Sequence, residues 1–255
     1  MKLGMPTLFE YNSILENISL AKKLNLDFIE LNCNYDYVRS EIENEHSNLI
    51  DVLNENELVT TLHFYDDFDF FAPIEVVKAY ISLFEKLVSS ASDLNLKIVT
   101  VHLAPGAHTT INGVKKYNIE KDYKKALKRI SEVSVKLEAI CNKYKVQLAF
   151  ENTIMPKPLQ RIYNALAKDG FNFTYDVGHD YMDKERTLSL TKKLPNFVEF
   201  HIHDANKKSD HLVIGEGKVF VKPFKDLALA LNSYVLIEVK DSESLIKSVS
   251  NFIEL

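Results

Sequence analysis

Residues 146–180 read VQLAFENTIMPKPLQRIYNALAKDGFNFTYDVGHD, and how this stretch is read decides the fold. In VQLAFEN, Val146, Leu148 and Phe150 share one face of a period-two strand, and Gln147, Ala149 and Glu151 share the other. An amphipathic helical pattern follows near 158–168, and the short connection KDG leads into a second strand pattern, FNFTYDV. There the phenylalanines and Tyr175 oppose Asn172, Thr174 and Asp176. Two strand patterns separated by one helix pattern make a βαβ unit, whose strands lie parallel.

The same alternation runs outward in both directions. Strand patterns occur at 2–7, 27–33, 58–64, 97–103, 146–152, 171–177, 197–203 and 234–240, with helical patterns near 11–25, 38–56, 74–95, 118–145, 158–168, 184–194, 222–232 and 242–254. Such a series over 255 residues predicts an α/β fold, a single (β/α)8 TIM barrel occupying 1–255 as one domain. Helix-to-strand connections are short (NLD, NLK, KDG, LPN), whereas strand-to-helix connections include YDDFDFFAP (65–73) and LAPGAHTTINGVKKY (103–117). Long loops after the strands form the mouth of such a barrel, where ligands bind.

Composition narrows the classes. An apolar content of 46% supports a sizeable core, and a net charge of −5 predicts neither a nucleic-acid nor an anionic-membrane partner. Cys33 and Cys141 have no CxxC spacing, so neither a disulfide framework nor a zinc ribbon is expected. MKLGMPTLFE carries no signal-peptide pattern, and no run is apolar enough to span a membrane. The expectation is a cytoplasmic protein, monomeric or homo-oligomeric, acting on a small molecule.

Six consecutive strand patterns end in a polar residue on the inward face: His63, His102, Glu151, Asp176, His201 and Glu238. A carboxylate aimed into a barrel must be paired or bound to a cation. No Arg lies on those strands and only Lys240 is near, so the three carboxylates with His201 form an N/O ligand set for divalent Mn, Zn, Co, Mg or Fe. Standing alone, His63 and His102 suit hydrogen-bonded structural histidines better than ligands. His179, in DVGH, turns back toward the same mouth. His203, Asp204 and Lys207 either contact substrate or decorate the loop, and GEG (215–217) is short for a phosphate loop.

TLHF (61–64), VTVHLAPG (99–106), LAFENT (148–153), YDVGHD (175–180), HIHDANK (201–207), DHLVIGEG (210–217) and VLIEVKD (235–241), in this order, resemble the xylose-isomerase-like superfamily of barrels. That superfamily holds sugar isomerases and epimerases together with endonuclease IV. The resemblance implies a divalent metal on Glu151, Asp176, His201 and Glu238, with Glu151 and Glu238 as the catalytic pair. The H-x-x-D spacing selects His201 over His203 as the ligand. His63, His102, His179, His203 and Lys207 become candidate substrate contacts, and His179 with His211 candidates for a second ion. The implied activity is isomerisation or epimerisation of a sugar or sugar phosphate by proton transfer through an enediolate. Alternatives are an endonuclease IV-like zinc phosphodiesterase acting on abasic DNA and a lyase resembling inosose dehydratase. Ser209 stands where the nuclease pattern has an aspartate, and Lys207 where the ketose epimerases have an arginine. A binding barrel without turnover is the non-enzyme reading, and retention of both glutamates speaks against it.

Overall fold

The computed structural model describes residues 1–44, 46–183 and 196–255. In chain order the elements are β1 (Lys2–Pro6), α1 (Ile14–Lys23), β2 (Phe28–Asn32), α2 (Asp36–Asn44), α3 (His46–Glu55), β3 (Val59–His63), α4 (Ile74–Ala91), β4 (Leu96–Leu103), β5 (His108–Ile111) and β6 (Val114–Tyr117). There follow α5 (Tyr123–Lys143), β7 (Gln147–Asn152), α6 (Lys157–Lys168), β8 (Asn172–Asp176), α7 (Val177–Met182), β9 (Asn196–Ile202), α8 (Lys222–Leu231), β10 (Tyr234–Ile237) and α9 (Ser242–Glu254). Eight of the strands close into a parallel barrel in the order β1-β10-β9-β8-β7-β4-β3-β2. The expected (β/α)8 barrel is therefore the observed one, and every expected strand lies in it. The helix expected near 184–194 falls outside the described residues. Among the described residues, no helix is long and apolar enough to cross a membrane.

Local chemistry explains the unequal loops. After α1, α3, α5, α6 and α8 the chain turns through one left-handed residue: Asn25, Glu57, Lys145, Gly170 and Asn232. In each case the next amide reaches back five residues, as Leu26 N does to Ala21 O at 2.9 Å and Val146 N to Cys141 O at 3.0 Å. This double-bonded C-terminal turn satisfies the last carbonyls and delivers the chain into its strand within two or three residues. The opposite end of the barrel carries the long loops of the mouth.

Three expectations were too plain. The pattern at 38–56 is two helices, α2 and α3, rather than one. The loop at 103–117 contains an antiparallel hairpin, β5 with β6, turned by Asn112 (φ 51°) and Gly113 (φ 77°). Asn-Gly tolerates the two positive φ values that a two-residue hairpin turn requires. The DVGH turn is the start of α7, and Asp176 is its N-cap, accepting the His179 amide at 2.6 Å.

The barrel's outer faces pack on the helices. In α6, Leu159, Ile162, Tyr163 and Leu166 are all buried, one stripe at helical spacing. Inside, the floor is apolar: Phe28, Val59 and Leu236 cluster there, in register with Gly4. A Cβ on Gly4 would lie 2.5 Å from the Phe28 ring, so glycine admits the plug. Above it the lining turns polar, with Glu30, Thr61, Thr100, Thr174 and Glu199 all buried. Parallel register places Glu30 beside Thr61 and Thr174 beside Glu199. Cys33 and Cys141 are free and buried.

Candidate active site

Above the polar layer, adjoining strands bring the strand-end residues together. His102 pairs in register with Glu151, and Asp176 with His201. Glu238 lies one residue beyond β10, its amide donating to Ile202 O at 3.0 Å. Asn152 splices β7 to β8: its side-chain NH2 donates to Asp176 O at 2.8 Å, and its side-chain oxygen accepts the Asp176 amide at 2.9 Å.

At the centre is His201, with no exposed side-chain surface. Its Nδ1 lies 3.4 Å from Glu151 Oε1 and 3.2 Å from Glu238 Oε2. Donor atoms of Glu151, Asp176, His201 and Glu238 all lie within 4.8 Å of one another. Among the described residues, both ring nitrogens of His201 and Glu238 Oε2 are buried without a hydrogen-bond partner. Buried polar atoms are ordinarily satisfied, and one imidazole among three carboxylates is the donor set a divalent cation accepts. The residues thus fit the metal that the sequence implied.

Electrostatics follow from this crowding. Burial would raise the Glu151 carboxyl, but the charges of His201 and His102 hold it well below the usual carboxylate range. Burial likewise opposes ionisation of Glu238, and the charges of Lys240 and His211 with the His201 contact prevail and lower it. For Asp176, burial is outweighed by His179 and His203, which lower its pKa. All three carboxyls are thus shifted toward the ionised form.

The other histidines divide into distinct roles. His63 Nε2 lies 3.0 Å from Glu151 Oε2 and its Nδ1 2.9 Å from Phe64 O. Burial would lower its pKa, yet bonding to Glu151 raises it to about 10. His102 Nε2 stands 3.5 Å from the same Glu151 oxygen, and burial lowers its pKa. Asp66 approaches both imidazoles, at 3.5 Å from His63 and 3.7 Å from His102. His179 Nδ1 lies 3.2 Å from Asn152 O and 3.6 Å from Glu151 Oε1. The rings of His179 and His211 are 5.8 Å apart, and together with His203 they bring one donor atom each within 4.8 Å.

His203 and Lys207 are placed differently from the sequence reading, which put both toward substrate. His203 is wholly buried, with Nε2 3.2 Å from both oxygens of Asp176. The His211 amide donates to its Nδ1 at 2.8 Å. The same Nδ1 lies 3.1 Å from Asp204 O. Burial would lower the His203 pKa, but the Asp176 charge and bond raise it to about 9, and a proton on Nε2 anchors Asp176. Lys207 is exposed on the turn 206–209. Among the described residues, Lys240 is the lysine whose ammonium meets a site carboxylate, 3.2 Å from Glu238 Oε1.

Asp204, also a candidate contact, organises the loop instead. Its carboxylate accepts the amides of Ala205, Gly215, Gly217 and Val219 at 2.8–2.9 Å. A Cβ on Gly217 would come within 2.1 Å of Asp204 Oδ1, so GEG cradles a carboxylate of the chain itself. Gly178 is equally constrained, since a Cβ there would lie 1.9 Å from His203 Cε1. Gly178→Ala must displace that ring and free Asp176. The expected result is a loss of about 1–3 kcal/mol in urea unfolding of the metal-free protein, with weaker metal uptake. Wild-type values in both measurements would refute this role.

Two buried carboxylates escaped the sequence reading. Glu30 Oε2 lies 3.3 Å from His201 Nε2. Glu199 accepts the Thr100 hydroxyl at 3.0 Å, and burial together with the Glu30 charge raises its pKa to about 8. The signal was present, because period two sets Glu30 in line with Phe28 and Asn32 on the inward face.

Comparison with known proteins meets this geometry. The uncharacterized protein MJ1614 of Methanocaldococcus jannaschii is 30% identical over 129 residues, a match spanning 47% of this chain and 49% of that protein. The chain thus spans about half the length of the curated relative it matches. Among solved structures, a D-tagatose 3-epimerase-like protein superimposes with a TM-score of 0.77 at 20% identity, over 100% of this chain and 97% of that one. The IolI protein, solved with a zinc atom, gives 0.69 at 18% identity, over 100% and 94%. At such identities the likeness is one of fold. A family model described as xylose isomerase-like TIM barrel matches residues 18–254, and with the closed barrel and its ring of mouth residues this chain belongs to that family.

Proposed function

We propose that this protein is a divalent-metal-dependent isomerase or epimerase of a small sugar, sugar phosphate or related polyol. The observation carrying the proposal is the placement of two ionised carboxylates, Glu151 and Glu238, against the same nitrogen of His201 from strands three places apart around the barrel. A site that only binds sugar needs no such pair. A divalent ion on Glu151, Asp176, His201 and Glu238 would supply the Lewis acidity that acidifies a C–H between carbonyl and hydroxyl. The chain supplies the rest. One glutamate takes the proton to leave an enediolate, and the other returns one, to the opposite face for epimerisation or the neighbouring carbon for isomerisation. Their low pKa values make both weak bases, so the substrate carbon must itself be acidified. His102 and His179 present ring nitrogens to hydroxyl groups, while His63 holds Glu151 in place. Beside Asp66 a cavity of about 340 Å³, lined also by His108, Lys115 and Tyr117, leaves room for the distal part of a polyol.

The test is to incubate metal-loaded protein in heavy water with free and phosphorylated aldoses, ketoses and cyclic polyol ketones. NMR then follows deuterium at the carbon next to the carbonyl, together with products. Deuterium entering with an epimer or isomer supports the proposal. Loss of water instead indicates a lyase. Neither deuterium nor product anywhere in the panel refutes it.

One observation favours a second reading, phosphodiester hydrolysis at abasic DNA. His63 and His102 both bring Nε2 to Glu151 Oε2, a donor arrangement suited to a further ion. Cleavage of an abasic oligonucleotide that disappears in His63→Ala and His102→Ala would establish it.

A further inference from the structure

Glu30 has no part in the proton transfer above, yet it is a carboxylate buried at 1% exposure inside the barrel. It stands on β2, across the barrel from His201 on β9, and its Oε2 lies 3.3 Å from His201 Nε2. Neither atom has a hydrogen-bond partner among the described residues. The opposite nitrogen, Nδ1, faces Glu151 and Glu238. His201 is therefore flanked by carboxylates on both sides.

A neutral imidazole holds one ring proton, and a nitrogen that ligates a metal must be bare. On the Nδ1 side a cation would satisfy both the ring and the carboxylates. On the Nε2 side, where Glu199 also brings an oxygen within 4.8 Å, a proton reconciles the ring nitrogen with the nearer Glu30 oxygen. We propose that Glu30 is a positioning residue: it accepts the Nε2 proton of His201 and so keeps Nδ1 bare and turned toward Glu151 and Glu238. This assignment rests on the metal-site reading given above. The 3.3 Å pair stands ready, and loading of Nδ1 leaves the proton where Glu30 can take it. Partners of this kind fix the tautomer and orientation of a ligating histidine, and their loss typically costs about 10–100-fold in metal affinity.

The experiment titrates zinc, against a competing chelator, into wild type, Glu30→Gln, Glu30→Leu and His201→Ala. In parallel, two-bond 1H–15N spectra of histidine-labelled protein identify the His201 tautomer by its absence from His201→Ala. Wild type should bind zinc with the His201 proton on Nε2. Glu30→Leu should lose about 10–100-fold in affinity, with a faster-exchanging Nε2 proton. Glu30→Gln, whose amide oxygen still accepts that proton, should retain most of the affinity. Should Glu30→Leu fail to fold, Glu30→Asp keeps the charge but withdraws the oxygen by one methylene, and the same loss is expected of it. Wild-type affinity and an unchanged Nε2 signal in both Glu30→Leu and Glu30→Asp overturn this inference alone. Absence of zinc uptake by wild type, or unaltered uptake by His201→Ala, overturns the metal reading and Glu30 with it.

Discussion

Glu238→Gln and Glu151→Gln are each expected to lower net turnover by about 10²–10⁴-fold, the span over which a positioned acid or base contributes. The amide is nearly isosteric and keeps an oxygen for a cation, but it takes up no proton at neutral pH. Because the two carboxylates approach from different strands, their losses should be asymmetric. With Glu238 replaced, the epimer whose C–H faces Glu151 should still exchange with heavy water while forming no product, and the converse holds for Glu151→Gln. Metal content measured on the same samples separates loss of a base from loss of a ligand. Wild-type turnover in a metal-replete variant would remove that glutamate from the chemistry. Equal exchange of both epimers in either variant would contradict the two-sided arrangement.

Removing the metal is expected to reverse how stability depends on pH. In the metal-free protein the folded pKa of His63 is raised from 6.5 to about 10. Its stabilisation is complete below about 6.5 and is lost as pH rises through about 10. Glu199 is raised from 4.5 to about 8, so its contribution is complete below about 4.5 and is lost as pH rises through about 8. Glu151, Asp176 and Glu238 are lowered, and their contributions fail only under acid, below their unfolded values. Between about pH 5 and 9 the metal-free melting temperature should therefore fall as pH rises. Metal binding has the opposite slope, since its ligands must be deprotonated. At a free concentration 100 times Kd the ion adds about 2.7 kcal/mol, or about 5–10 °C for a chain of this size. Melting at pH 5.5, 7 and 8.5, with and without a chelator, should show a gap that widens upward. No gap, or one that narrows with pH, would count against the site.

Much of this was legible because barrels repeat a simple rule. Alternation along VQLAFEN and FNFTYDV marked Glu151 and Asp176 as inward-facing, and neighbouring strands carried His63, His102 and His201 to the same level. The Asn112–Gly113 hairpin is legible in the same way, since Asn-Gly favours a two-residue turn. Glu30 lay on a strand whose faces were not sorted, although DFIELN alternates as plainly as the rest. His203 and Lys207 differ in kind. Period two aligns His203 with His201, but nothing along the chain says that Gly178 opens the space in which His203 lies buried. Nor does spacing show that Lys207 ends on an exposed turn while Lys240 reaches Glu238.

The sequence by itself determined the barrel and the level at which polar residues gather, because strand period and helix-terminating turns are local properties of the chain. Only the tertiary structure decided which of those residues meet. His201 lies between Glu30, Glu151 and Glu238 because closing eight strands brings β2, β7 and the end of β10 around one ring. His203 lies against Asp176 because the second residue of α7, Gly178, has no side chain to fill that space. Distance across a closed sheet depends on stagger and on what fills the interior, and neither is written in the spacing of residues along one strand.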